Sequence, residues 1–468
     1  MFNALKNDEV ISLIKPYLKG IKAYIVGGFV RDVIMGKTSP DRDLIICDID
    51  VAEFSKKLAD ELNAHFIELD VQNNIYRIVL EDKINYIDIT SPIENDFEKD
   101  IKRRDLTINA LAYDIQTDEI IDIIGGLDDI KNKKIKGIRD ENFEDDPLRL
   151  LRIFRFYSKT GFEIDNSLIE LSKKLCKRIN EPAKERINVE LMKMFEGKYC
   201  DLALLKLDEC NLLEEIFPIY KEVKKIPPNA HHHLDLIYHL IESVRQVQMI
   251  YENSDEEVKE YLETKKYASV SELAFLKLAT FLHDIGKPSC WTIDEETQRH
   301  RFIQHDLIGA NLCVPILKDL KFSKKQIEYV KKLIKYHIYP SSLVSAENAQ
   351  DKAFMKFYRK MDGVVIDVIL LAMADRLSAR GEKITEEIVN KNITSLTKLL
   401  KDYLELRKDI KPLEKLLDGK EIMQILKINQ GPKLGEIINL LKEEQISGNI
   451  TNKDEAIEYI MSNFGIKS

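Results

Sequence analysis

The segment IVGGFVRDVIMGKTSPDRDLII, residues 25–46, constrains this chain more than any other. Short β-branched apolar runs flank it, and a glycine pair followed by a helix-length stretch lies between them. The chain must therefore pass from strand to tight turn to helix to strand. Gly27 and Gly28 carry no side chains, so backbone N–H groups there can approach a phosphate, and a helix starting near Phe29 would add its N-terminal dipole. Arg31 falls one turn into that helix. Asp41 and Asp43 are spaced i, i+2 at the start of the next apolar run, so in a strand both carboxylates share one face. Two carboxylates facing a glycine-lined cradle suit a pair of divalent metals ~3.5–4 Å apart and in-line displacement at a nucleoside triphosphate. Asp88, in YIDIT, is a candidate third ligand. Alone, an Asp-x-Asp would read as a turn or a solvated strand start.

The runs KAYIVGG, DRDLIIC, AHFIELD, YRIVLED and INYIDIT give residues 1–140 the pattern of an α+β domain. From Asp146 the pattern becomes helical, with Asp146 placed to cap and Pro147 to occupy a first turn. Breakers at Pro227-Pro228 and near Pro412 divide the remainder, so the expected parts are 1–140, 141–226, 227–410 and 411–468. That is slightly more than the roughly three domains expected from 468 residues.

In IKRRDLTINALAYD, Arg104 offers a guanidinium for a triphosphate, and Asn109, on an expected helix, an amide for a sugar hydroxyl. In DDPLRLLRIFRF, Asp146, Arg149, Arg152 and Arg155 recur every three residues; Asp146 and Arg149 are the pair expected to meet, and Arg152 and Arg155 suit phosphates or stiffening. GGFVRDVIMG, DRD, RRDLTINALAYD and DDPLRLLRIFRF, in this order, resemble the class II tRNA nucleotidyltransferase and poly(A) polymerase family. The resemblance implies an N-terminal head of the DNA polymerase β superfamily type, with a mixed sheet and helices, followed by an all-α neck and body. It implies Mg²⁺ on Asp41 and Asp43, and nucleotide contacts at Gly27, Gly28, Arg31 and Arg104. It further implies that Arg186 and Glu190 support the neck, and that Asp146 and Arg149 act as a template for the incoming base. Cytosine and adenine both present an amino donor beside a ring-nitrogen acceptor, which an Asp and an Arg complement; uracil and guanine mismatch both contacts.

Eight of the nine histidines fall between His231 and His337, a clustering that points to metal. His239, His283, Asp284 and Asp375 resemble the ordered ligands of the HD phosphohydrolase domain, and His305 and His337 the added ligands of two-metal members, so a transition metal or Mg²⁺ is expected there. The His231–His233 run reads as a loop or an RNA-facing segment. Lysine-rich stretches at SKKLCKRINEPAKER and KDLKFSKKQIEYVKKLIKYH are candidates for a tRNA backbone or plain solvated faces. The turn GPKLG places Pro432 at a helix start.

Lys+Arg 71 against Asp+Glu 80 gives a formal charge of −9, which excludes a wholesale nucleic-acid coat but not local basic grooves. The six cysteines form no CxxC pair, and the longest apolar stretch is interrupted by Asp367, so a reducing cytoplasm, no secretion and no membrane span are expected. The expected partners are the tRNA 3′ end, CTP and ATP. Only SPIEN separates YIDIT from DFEKDIKRRD, where full CCA-adding members carry a longer loop, which favours a CC-adding specialist. An A-adding enzyme, a poly(A) polymerase, a phosphohydrolase acting through the HD site, and an RNA-binding module with an idle head are the other readings.

Overall fold

The structure, a computed structural model, describes residues 2–228, 234–267, 269–346, 351–379, 384–408 and 414–465. The His231–His233 run and the linker at Pro412 lie outside them. Two compact units divide the chain, Met1–Pro218 and Ile219–Ser468.

In the first unit, after short helices at Phe2–Lys6 and Glu9–Ile14, come β1 (Ala23–Val26), α1 (Gly28–Ile34), β2 (Asp41–Ile46), α2 (Val51–Glu61), β3 (His65–Asp70), β4 (Ile75–Val79), β5 (Tyr86–Thr90) and α3 (Phe97–Lys102). β6 (Ala112–Asp114) and β7 (Glu119–Ile121) complete a seven-stranded sheet of order β3-β4-β5-β2-β1-β6-β7. β2 and β5 run parallel and every other neighbouring pair is antiparallel, so the sheet is mixed as expected. The period of two is visible in β2. Asp41 and Asp43 share one face, while Arg42 is buried on the other, where Asp8 takes its guanidinium at 2.7 and 3.0 Å and the Phe29 ring lies 4.7 Å from it.

One expected element is absent. After Arg104 the chain makes a short 3₁₀ turn, Thr107–Asn109, and enters β6, so Asn109 does not ride on a helix. Pairing of β6 with the buried strand β1 outweighs the helical propensity of LTINALAYD.

The neck consists of α4 (Leu148–Thr160) packed on α5 (Lys184–Phe195). Leu150, Leu151, Ile153 and Phe154 bury the apolar stripe of α4 and leave its arginines on the opposite side.

In the second unit α6 (Leu236–Asn253), α7 (Glu272–Leu282), α8 (His305–Asp319), α9 (Lys324–Tyr336), α10 (Asp351–Lys360) and α11 (Val365–Ser378) follow in order. α6, α7 and α11 pack against one another, and all eleven residues of α7 are buried. Asp367, which interrupts the apolar run of α11, is buried and accepts the hydroxyls of Tyr261 (2.5 Å) and Tyr329 (2.8 Å). The second unit is mainly helix as expected, interrupted by the hairpin of Trp291–Ile293 with His300–Phe302. A small separate core around Ile422, Ile437 and Ile460 gathers the tail, in which α12 (Pro432–Ser447) starts at the predicted proline. No helix of the described residues is long and apolar enough to cross a membrane.

Candidate active site and metal centre

Gly27 ends β1 at φ +76°, a conformation that disfavours side chains, and a Cβ there would lie 2.8 Å from Arg104 Nη1 and 3.4 Å from Asp43 Oδ2. The glycine therefore lets the guanidinium and the carboxylate close on the backbone. A cleft of about 1060 Å³ opens at this point; Gly27, Gly28, Arg31, Asp41, Asp43, Arg104 and Asn109 line it from the head, and Asp146, Arg149, Arg152 and Arg155 from the neck. One oxygen each from Asp41, Asp43 and Asp88 lies within 4.8 Å of the others, Asp43 facing Asp88 across the parallel β2–β5 pair.

The three carboxylates are not equivalent. Both oxygens of Asp88 are held by Arg77, at 2.6 and 2.7 Å. Asp41 and Asp43 lack such a partner: burial and then Asp88 raise the Asp41 pKa, and burial and then Asp41 push Asp43 up to about 6. Asp41 Oδ1 is buried with no hydrogen bond. Mutually repelling carboxylates with an unsatisfied oxygen are a donor set for a hard divalent cation.

Arg31 donates to Asn109 Oδ1 and, through Nε and Nη2, to Asp32 Oδ1 at 2.9 and 2.8 Å. The Asn109 amide donates to Asp105 (3.0 Å), so both ends of that side chain are engaged by protein. Arg104 retains donors: its Nε is buried without a partner, and its longer contacts to the Asn109 carbonyl and Asp100 are at 3.4 Å. Asp146 and Arg149 line the same cleft but do not pair with each other, contrary to expectation. Arg186 takes Asp146 Oδ2 at 2.8 Å, and Arg149 Nη1 donates to the carbonyls of Arg103 (2.7 Å) and Asn142 (2.9 Å). Arg152 binds Asp105 at 2.5 Å, and Arg155 lies 3.1 Å from Glu190, so both stiffen the neck against its surroundings. Arg186 and Glu190 thus act separately, one on Asp146 and the other on the arginines. Sequence reasoning missed Asp32, Asp105 and Lys159, which bonds Asp32 at 3.0 Å; the adjacency of Asp105 to Arg104 was the available signal.

The second unit gathers the other candidate ligands. Asp284 Oδ2 lies 3.6 Å from His239 Nε2 and 3.3 Å from His283 Nε2, while Oδ1 lies 3.2 Å from His305 Nε2 and 3.7 Å from His337 Nε2. Asp375 Oδ1 approaches His239 (3.2 Å) and His283 (3.6 Å). One carboxylate thus faces two donor groups at once. The Nδ1 atoms of His283, His305 and His337 each lie 2.7 Å from a main-chain carbonyl, and that of His239 lies 3.1 Å from Ser378 Oγ. A carbonyl fixes the proton on Nδ1 and turns the Nε2 lone pair inward, as a metal-ligating imidazole requires. Burial opposes charge on His283, yet Asp284 and Asp375 push its pKa up to about 10, so a metal bound there would displace the Nε2 proton. His283 Nε2 and Asp284 Oδ1 are buried without hydrogen bonds, so this donor set also fits divalent metal. Lys287, not anticipated from sequence, reaches Asp284 Oδ2 at 2.5 Å.

Residues 23–136 match the Poly A polymerase head domain, 161–224 the RNA and SrmB-binding site of polymerase A, 310–460 the tRNA nucleotidyltransferase domain 2, and 232–380 the HD domain. The chain belongs to the tRNA nucleotidyltransferase and poly(A) polymerase family. Among relatives of this nucleotidyltransferase, an A-adding tRNA nucleotidyltransferase of Deinococcus radiodurans is 28% identical over 94% of each chain. A CC-adding tRNA nucleotidyltransferase of Thermus thermophilus is 27% identical over 95% of this chain and 94% of its own. The solved complex of a CCA-adding enzyme with CTP shares the fold at TM-score 0.57 and 20% identity, covering 97% of this chain and 96% of that one. The Thermotoga maritima CCA-adding enzyme complexed with tRNA does so at 0.55 and 20%, covering 97% and 94%.

In this nucleotidyltransferase Asp105 is the most strongly held carboxylate of the cleft. Burial would raise its pKa, but Arg152 dominates and lowers it from 3.8 to about 2. Its charged form therefore stabilises the fold at pH above about 4, by about 2 kcal/mol, and that contribution is lost as pH falls toward 2. We expect Asp105→Asn to cost about 2 kcal/mol at neutral pH and progressively less between pH 4 and 2. Urea unfolding followed by circular dichroism at several pH values measures this; a deficit independent of pH would contradict it.

Proposed function

We propose that the chain extends the 3′ end of tRNA with C and A from CTP and ATP. The observation that carries the reading is that one cleft is lined by the Asp41–Asp43 pair and by Asp146 and Arg149. Asp41 and Asp43 would hold Mg²⁺, which when bound neutralises triphosphate charge and acidifies the attacking hydroxyl. Arg104, with unspent donors beside Gly27, meets the triphosphate; Arg31, fixed by Asp32 and Asn109, adds positive charge at the glycine turn. Asn109, engaged at both ends, positions Arg31 and Asp105 and is less suited to a sugar hydroxyl than its sequence suggested. Asp146 accepts from the base's amino group and Arg149 donates to its ring nitrogen. Asp88, neutralised by Arg77, is secondary to the other two carboxylates.

We keep the division into a head (1–140), a neck and body (141–226), an HD domain (227–410) and a tail (411–468). A CC-adding specialist is the second reading of the head. It is favoured by the short connection of residues 91–96 between β5 and α3. For the second unit we propose a metal-dependent phosphohydrolase, in which the inward Nε2 atoms and Asp284 hold two metals. Lys287 orients Asp284.

Three outcomes test these readings. With tRNA transcripts lacking CCA, ending in C and ending in CC, sequencing of the products is expected to show addition of C, C and A; arrest after CC supports the specialist, and no addition to any transcript refutes the transferase. Asp146→Ala is expected to reduce discrimination of CTP over UTP by about 100-fold or more while KM for the triphosphate changes little, as the unpairing of buried polar groups predicts; unchanged discrimination refutes the template. His283→Ala is expected to abolish metal-dependent hydrolysis of a model phosphodiester and lower bound metal in elemental analysis, with nucleotide addition unaffected; equal hydrolysis in the variant refutes the hydrolase.

A further inference from the structure

The two lysine-rich stretches of the sequence differ in what surrounds them. In residues 172–186 most of the cations are compensated: Lys173 lies 2.9 Å from Glu170, Lys174 3.4 Å from Glu144, Arg178 2.8 Å from Glu181 and Arg186 2.8 Å from Asp146. That stretch is a largely neutralised surface, which makes it the weaker candidate for an RNA backbone. In α9 the five lysines have no carboxylate oxygen within 4.0 Å among the described residues, and the same holds for the three lysines and one arginine of α10.

The uncompensated charges converge. Lys335 of α9 and Lys360 of α10 stand over the same ring, that of Tyr336, with Nζ 5.0 and 5.2 Å from its centre, and Lys360 also lies 6.0 Å from the centre of Tyr339. One turn earlier, the ammonium of Lys332 donates to the Asp362 carbonyl at 3.0 Å. Burial, and then the charge of Lys442 on α12, pull the Lys332 pKa down to about 8, and Asp362 offsets only part of this. Bringing like charges from three helices together costs stability, and a polyanion laid across them relieves that cost.

We propose that the α9–α10 face, with Lys442 at its edge, binds the phosphodiester backbone of RNA. The choice of RNA rests on the reading of the head as an RNA-extending enzyme; the need for a polyanion rests on the charges alone. Two further features favour RNA over an anionic membrane. Tyrosine rings lie between the ammonium groups, as on surfaces that take single-stranded nucleotides by stacking. No large apolar side chain of α9 or α10 is exposed among the described residues, so the face lacks the apolar payload that an interfacial helix inserts into lipid.

The test uses the full chain and a tRNA transcript lacking CCA, with affinity read by fluorescence anisotropy across a KCl series. Lys335→Ala/Lys360→Ala is expected to weaken binding about 10-fold and to reduce the slope of log affinity against log salt by about 2, roughly one unit for each phosphate no longer neutralised. KM for CTP at saturating RNA stays unchanged, and melting by circular dichroism shows no loss of stability relative to the wild type. Lys352→Glu/Lys356→Glu, elsewhere on α10, is expected to weaken RNA binding as well, while Lys173→Ala/Lys174→Ala in the compensated stretch leaves it intact. Unaltered RNA affinity and salt slope in both pairs of α9–α10 variants would overturn the proposal. So would loss of binding to phosphatidylserine-containing vesicles with RNA binding retained. A wild-type chain that binds RNA through this face yet adds no nucleotide would refute the reading of the head and leave this one standing.

Discussion

Asp105, buried away from water, holds Arg152 with one oxygen and the Asn109 amide with the other. Asn109 in turn accepts from Arg31, Arg31 grips Asp32, and Asp32 takes Lys159. Arg152 and Lys159 both belong to α4, so the chain of contacts leaves the neck helix, crosses the 3₁₀ turn and the glycine-turn helix α1, and returns to the neck. Its members carry three positive and two negative charges. A circuit of this kind is cooperative, because removal of one member leaves a buried neighbour unpaired. It fixes the guanidinium of Arg31 and the spacing between glycine turn and neck before any ligand arrives, while adding one net positive charge to the cleft.

The two candidate metal centres solve the same problem in opposite ways. In the head, Asp41 and Asp43 are crowded and partly desolvated, so their carboxyls hold protons more tightly than usual and a cation relieves the repulsion. In the second unit burial would raise the carboxyls of Asp284 and Asp375, but Lys287 and then the imidazoles at Asp284, and the imidazoles at Asp375, hold them well below the carboxylate range. The first arrangement relies on charge and suits a hard ion exchanged with substrate. The second relies on imidazoles oriented through their Nδ1 contacts and suits an ion that stays.

Legibility from sequence followed the range of the interactions. Asp41 and Asp43 share a face because a strand alternates with a period of two, and the glycine turn follows from neighbours in the chain; both are local. That the candidate HD residues lie together was legible from the adjacent His283-Asp284, the clustering of the histidines and the resemblance to the HD domain. Asn109 was misplaced on a helix because what decides its backbone is the pairing of Ala112–Asp114 with β1, some 90 residues away in the chain. Asp146 and Arg149 were expected to meet by helical spacing, but Arg186, 40 residues on, supplies Asp146 with a closer partner. The hold of Arg77 on Asp88 is likewise a cross-strand contact between β4 and β5, invisible to spacing within one strand.

Neither contact made by the proposed template exhausts it. A carboxylate accepts at about four positions, so Arg186 on Asp146 Oδ2 orients the group and leaves acceptors for an amino group. Arg149 commits Nη1 to two carbonyls, which clamps the guanidinium plane and presents its remaining donors in one direction. A pair so fixed, acting as the proposed template, would reject uracil and guanine, because both would leave buried polar atoms unmatched. It does not distinguish cytosine from adenine, whose edges offer the same donor beside the same acceptor. The choice between them must come from where the larger base puts its sugar and triphosphate, and therefore from backbone that sets the depth of the cleft rather than from the reading pair. Residues 91–96 join β5, which carries Asp88, to α3, which precedes Arg104; none of the six lines the cleft, so any influence on its depth would pass through those two elements.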